Sequence, residues 1–166
     1  MEQNQPKSIK QLILPTAIIF GVFRILLDII PKLLDTNAIT FYSTFLIGFI
    51  LEAFLIHYLI KKVKKYNGGE IDLKEALVTG VTFMVIVGLF FALGSYIYDA
   101  YIDSNFQTEK AFELAEYYGQ VAEVKEKINT NQANNSAVFA IFISILKFSF
   151  SGLLISFVVG SIVRNK

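Results

Sequence analysis

Four apolar runs dominate the chain, separated by short polar connections. They cover about Gln11–Leu34, Ala38–Ile60, Ala76–Tyr98 and Ala137–Val163. Each offers roughly 20 or more residues, the length an α-helix needs to cross a hydrocarbon core of about 30 Å. The segment FLIGFILEAFLI is apolar on every face and lacks the period-2 alternation of a membrane β-barrel strand. Lipid leaves no open backbone group satisfied, so the runs are expected to be helices. Between the third and fourth runs, Leu114, Tyr117, Val121, Val124 and Ile128 recur at alternating steps of three and four. That spacing predicts an amphipathic helix over Gln107–Thr130 whose seam packs on the membrane surface or on the ends of the spans. TNQANNS then reads as a polar linker. The expected fold is all-α: one membrane domain over residues 1–166, built as a four-helix transmembrane bundle with a helical insertion at about 103–135.

Charge orients this layout. Lys7 and Lys10 precede the first run, Lys61, Lys62, Lys64, Lys65 and Lys74 surround the second connection, and Arg164 and Lys166 end the chain. The first connection has Lys32. The third sets Lys110, Lys125 and Lys127 against Asp99, Asp103, Glu109, Glu113, Glu116, Glu123 and Glu126. Because basic connections stay in the cytoplasm, both termini and the middle loop are expected there, with the acidic insertion outside. Tyr42, Tyr96, Tyr98 and Tyr101 would mark the outer interface, and Tyr58 and Tyr66 the inner one. The first run is interrupted by Arg24 and Asp28 and is followed by no small-residue cleavage site, so it reads as a retained span and not a signal peptide.

Charges also fall inside the runs: Arg24 and Asp28 in the first, Glu52 in the second and Lys147 in the fourth. An isolated charge at membrane depth costs about 2.5–3.5 kcal/mol even on the lenient insertion scale. The four sum to zero, and Arg24, Glu52 and Lys147 differ in depth by less than about 10 Å at 1.5 Å per residue. Arg24 and Asp28 stand i,i+4 in the weaker order, base before acid. Partners on other helices are therefore expected: Arg24 with Glu52, and Lys147 with Asp28 or Glu52. Lys147 shares its helix face with Ser144 and Ser151. Pro31 removes a backbone hydrogen bond to Leu27 and predicts a kink or helix end.

Small residues predict where helices approach closely: Gly152, Ser156 and Gly160 on the fourth run, Gly80, Gly88 and Ala92 on the third. In the middle loop Gly68 and Gly69 signal a turn, and Asp72 followed by Glu75 reads as a capping box opening the third helix. Its lysines suit anionic headgroups or serve as a topology determinant.

Composition narrows the chemistry. The chain is 54% hydrophobic with a mean hydropathy of +0.55. It has no cysteine and a single histidine, His57, which removes thiolate chemistry and multi-histidine metal centres. The net charge of +1 gives no case for nucleic acid. Glu52 and His57 form the one conceivable acid–base pair, yet about 140° of helix separates them. No catalytic residue, metal site or cofactor is expected.

IKKVKKYNGGEIDLKEALVTG (Ile60–Gly80), YIDSNF (Tyr101–Phe106) and LISFVVGSIVRNK (Leu154–Lys166) together resemble a bacterial membrane family, the domain of unknown function numbered 4199, found chiefly in Bacteroidota. The similarity extends over nearly the whole chain. Ser104 departs from the pattern, because the family usually has proline there. The resemblance implies this four-span layout in the inner membrane and carries no catalytic or binding residue onto any position.

Two functions follow as expectations. The first is a non-enzymatic interaction, assembly or sensing subunit, resting on the neutral charge set and the close-packing residues. Beyond the lipid bilayer, its partner would be a second copy or another membrane or periplasmic protein. The alternative is a small oligomeric transporter or channel with Arg24, Asp28, Glu52 and Lys147 on its path. The transporter requires water at these residues, and Lys147→Met would then leave the fold intact. A structural network requires their mutual burial, and the same change would destabilise it.

Overall fold

The structure, a computed structural model, describes residues 8–125 and 137–164. Its helices are α1 (Ile9–Leu33), α2 (Ala38–Tyr66), α3 (Leu73–Tyr101), α4 (Phe106–Tyr118) and α5 (Ala137–Val163). Four of them, all but α4, are long and apolar enough to cross a membrane. α3 is the central element, packing most extensively on α5 and α1, while α2 lies across all three and receives α4. Large apolar side chains such as Ile19, Phe54, Phe142 and Val158 are exposed around the bundle, where acyl chains would cover them.

The helix ends are chemically marked. Ser8 opens α1 through a capping box with Gln11, and Asp72 opens α3 through the same device with Glu75. Asn67 adds a 2.8 Å hydrogen bond from its side-chain amide to Glu75 Oε1. Gly68 and Gly69 take φ of 77° and 97°, a left-handed backbone that disfavours any side chain. The turn predicted there forms. α1 runs through Pro31 and ends two residues later. Asp35 turns the chain at φ 44°, while Thr36 donates its backbone N–H to Pro31 O.

α2 and α3 are longer than their apolar runs. α2 continues past Ile60 to Tyr66 because the lysine-rich turn is amphipathic: Val63 is fully buried while the lysines reach sideways. Lys64 Nζ donates to Val163 O at 2.8 Å, satisfying a carbonyl at the α5 C-terminus, and Lys62 Nζ donates to Leu12 O at 3.3 Å. These two lysines tie helix ends together as well as carrying charge.

The predicted single helix over Gln107–Thr130 is divided. Gly119 adopts φ 69° and closes α4, and a second helical stretch begins at Val121. The seam is not the packed face: Tyr117 and Val121 are exposed, whereas Phe106, Lys110 and Ala115 are buried. Ile128 and the whole TNQANNS linker lie outside the described residues. Phe106 determines this outcome, because it inserts between Phe41 (centroids 5.1 Å apart) and Tyr98 (6.2 Å), both edge-on. Tyr98, expected at an interface, is consequently buried.

The predicted close approach of small residues is realised between α3 and α5. A Cβ on Gly80 would lie 2.5 Å from Ser156 Cβ, and one on Gly152 would lie 2.8 Å from Gly80 O. Gly160 faces Ala76, and Gly88 faces Phe148. Ser156, fully buried, returns its hydroxyl to Gly152 O in its own helix, so the seam leaves no polar group open.

Candidate functional site

The intramembrane charges separate into two clusters and one lone cation. In the first cluster Arg24 of α1 meets Glu52 of α2, Nε to Oε1, at 3.2 Å, with both side chains almost fully buried. Three rings surround the guanidinium: its Cζ lies 4.9 Å from the Phe91 centroid, 5.1 Å from Phe45 and 5.8 Å from Phe148. Aromatic faces stabilise a cation that lipid and protein would otherwise leave unsolvated. Gly48 makes the room, since a Cβ there would stand 2.7 Å from Arg24 Nε. Arg24 Nη1 is buried and has no hydrogen-bond acceptor among the described residues.

The second cluster surrounds Lys32. Its Nζ lies 2.9 Å from Asp28 Oδ2 and 2.9 Å from Asp99 Oδ1, and it donates to Ser95 Oγ at 3.0 Å. The Lys32 side chain is wholly buried and its ammonium sits 5.0 Å from the Tyr98 ring centroid. Gln107 of α4 reaches Asp99 Oδ2 at 3.5 Å. Asp28 is therefore paired, but not with Lys147. The run of apolar residues hid this: Lys32 and Asp99 read as loop residues, although each lies inside a helix.

Lys147 departs from expectation. It is exposed on α5 and makes no ion pair with Asp28, Glu52 or any other described residue. The physical reason is geometric. Arg24 already occupies Glu52, Lys32 already occupies Asp28, and α5 packs chiefly on α3.

Lys147 instead stands at a cavity of about 390 Å³. Arg24 of α1 and Met84 and Phe91 of α3 form its back; Phe45, Phe49 and Glu52 of α2 and Ser144, Lys147, Phe148 and Ser151 of α5 form its sides. The polar stripe of Ser144, Lys147 and Ser151 thus lines one wall. Toward the lysine-rich end, Phe20, Ile56, Leu59 and Phe83 fill the interior; toward the other end Phe41, Tyr98 and Phe106 do so. His57 lies elsewhere, in an apolar groove with Phe49, Ile50, Ala53 and Phe54. Among the described residues no group of His, Asp and Glu is arranged to hold a metal ion.

A third ionic cluster lies beyond the spans. Lys110 of α4 contacts Asp35 Oδ1 at 2.9 Å and Glu113 Oε2 at 3.2 Å. Glu113 Oε1 in turn accepts the backbone N–H of Ala38 at 2.9 Å, at the N-terminus of α2. That hydrogen bond, with Lys110 beside it, holds the Glu113 carboxyl below the usual glutamate range. The Asp35 carboxylate holds the Lys110 ammonium above the usual lysine value, with Glu113 adding to the effect. The acidic insertion is thereby latched to the first connection. Sequence reading missed the latch because its residues are far apart in the chain.

Four membrane-length helices around paired internal charges define a multi-pass membrane protein. The chain belongs to the family described as "Protein of unknown function (DUF4199)", which matches residues 16–165. No curated protein and no solved structure matches it.

Proposed function

We propose that this protein is a non-enzymatic interaction or sensing subunit of the bacterial inner membrane, which works by holding another molecule at the cavity between α2 and α5. The observation that carries this reading is Lys147, an exposed cation without an ionic partner among the described residues, at the mouth of a polar cavity. Lys147 lies nine residues from Val138, where its span begins, or roughly 14 Å along the helix. That is farther than a lysine side chain reaches toward an interface, and no described residue partners its charge, so in this reading that role falls to another molecule. The buried charges Arg24, Asp28, Lys32 and Glu52 meet partners inside the protein, as a scaffold requires. The positive-inside rule supports an orientation with both termini and the α2–α3 turn in the cytoplasm and α4 outside.

Proteoliposomes of the purified chain should pass no more ions or protons than protein-free vesicles under an imposed gradient. Flux lost in Lys147→Met would overturn the reading in favour of a small transporter. The favouring observation for that second reading is the cavity itself, which reaches Arg24, Glu52 and Lys147. Against it, filled apolar layers lie on both sides of the cavity among the described residues, and Asp28 sits in a separate cluster. Orientation is tested separately. Because the chain has no cysteine, Tyr117→Cys and Asn67→Cys provide single reporters; an impermeant maleimide added to intact cells should label the first alone.

A further inference from the structure

We infer that the cavity between α2 and α5 is a binding site for a monoanionic amphiphile, a carboxylate with an apolar tail, that enters sideways from the membrane. The inference deepens the interaction reading above and rests on it. Charge supplies the first argument. Arg24 and Lys147 face the cavity against Glu52 alone, so its walls carry one formal positive charge in excess. No described side chain neutralises that excess, and its depth in a low-dielectric span makes it costly to leave uncompensated. An anion of single charge completes the set. A cation would meet Lys147, and a dianion would meet Glu52 without a counter-charge.

Hydrogen bonding supplies the second. Arg24 is 2% exposed, and its Nη1 has no acceptor among the described residues. Lys147 offers three further donors and is flanked by Ser144 and Ser151 on the same wall. A carboxylate seated beside Lys147 would supply acceptors for its ammonium, and the adjoining Arg24 adds its charge. Glu52 stays on Arg24 Nε.

Shape and surroundings give the tail. The remaining lining is Phe45, Phe49, Met84, Phe91 and Phe148, apolar and deformable. The volume of about 390 Å³ lies within the usual range for small-molecule sites. At the mouth Phe49 and Lys147 are exposed, and the adjoining surface presents Leu46, Ile50, Leu146 and Phe150. Such a mouth opens onto acyl chains and not onto water. Its ligand must therefore already be dissolved in the bilayer.

The test uses the full chain in nanodiscs of zwitterionic lipid, with decanoate, decanol and decylamine as probes. Isothermal titration should detect saturable decanoate binding, with decanol at least about tenfold weaker, the factor expected for losing a charge-assisted hydrogen bond. Lys147→Met should weaken decanoate by a similar factor and leave decanol unchanged, while Lys147→Arg should retain decanoate. Circular dichroism melting of each variant separates lost binding from lost folding. Equal affinity for decanoate and decanol, or undiminished binding by folded Lys147→Met, would overturn the assignment. Absence of decanoate binding together with absence of flux would overturn the ligand and leave the non-catalytic reading standing, whereas flux would overturn that reading whether or not decanoate binds.

Discussion

Lys32 Nζ lies 2.9 Å from Asp28 Oδ2, one helical turn earlier in α1, and both side chains are excluded from solvent. The order is acid before base, the favourable one for an i,i+4 pair, and Asp99 closes the arrangement from α3. Removing the ammonium would leave two carboxylates facing each other without a cation. Lys32→Met should therefore cost about 3–5 kcal/mol, the range for breaking a buried ion pair from one side. The double change Asp28→Asn with Lys32→Met should recover a large part of that loss. Reversible unfolding in mixed micelles measures both; a single-variant loss below about 1 kcal/mol would contradict the assigned role.

Lys147→Met should behave in the opposite way. No described residue loses a partner when this ammonium is removed, so the fold should survive at full stability or gain. The expected gain is at most about 2.5–3.5 kcal/mol, the insertion cost of a lysine at span depth. A destabilisation comparable with that of Lys32→Met would mean that Lys147 has a partner within the fold after all.

How far the sequence discloses this molecule depends on the range of the interaction. The four spans, the Asp72–Glu75 cap, the Gly68–Gly69 turn and the small-residue faces all follow from local spacing. So does the Arg24–Glu52 pair, because depth alone limits its partners. The Lys32 cluster was legible in principle: Asp28 and Lys32 have the preferred spacing and order. It is obscured because Lys32, although inside the Gln11–Leu34 run, is counted with the first connection. Gly48 gave no signal on its own, since its purpose becomes visible only when Arg24 is laid against α2. The division of the insertion at Gly119 had a local cue, a glycine within an otherwise helical pattern, which the seam of three and four outweighed. The latch between Glu113 and Ala38 joins residues distant in sequence and had no local cue.

The α3–α5 seam should tolerate an added side chain less well than the α1–α3 contact does. Gly80→Val would drive a branched side chain into Ser156 and the Gly152 carbonyl, backbone that cannot swing away. The expected cost is about 1–3 kcal/mol or more, as for overpacking generally. Gly21→Ala, on α1, adds a single methyl whose nearest neighbours are all atoms of the Phe90 side chain, and should cost less. Melting temperatures of the two variants in one detergent check the ranking, and equal losses would contradict it.

Docking of α4 should depend on pH on the acid side. The Glu113 carboxyl is held below its ordinary value chiefly by the Ala38 backbone N–H, with Lys110 next. Its contribution to docking is present above the ordinary glutamate range, near about 4.3, and is lost as the pH falls through the lowered value. Lys110 is shifted upward, mainly by Asp35, so its contribution is present below the ordinary lysine value and fades only as the pH rises through a still higher one. At neutral pH both are in force. Acidification below about pH 4 should therefore raise hydrogen exchange in Phe106–Tyr118, after correction for intrinsic rates, while the amides of α3 stay protected. Glu113→Gln should show weakened α4 protection already at pH 7 and little further change attributable to this site on acidification. Unchanged protection of α4 in that variant would mean that Phe106, seated between Phe41 and Tyr98, holds the helix without help from the ionic latch.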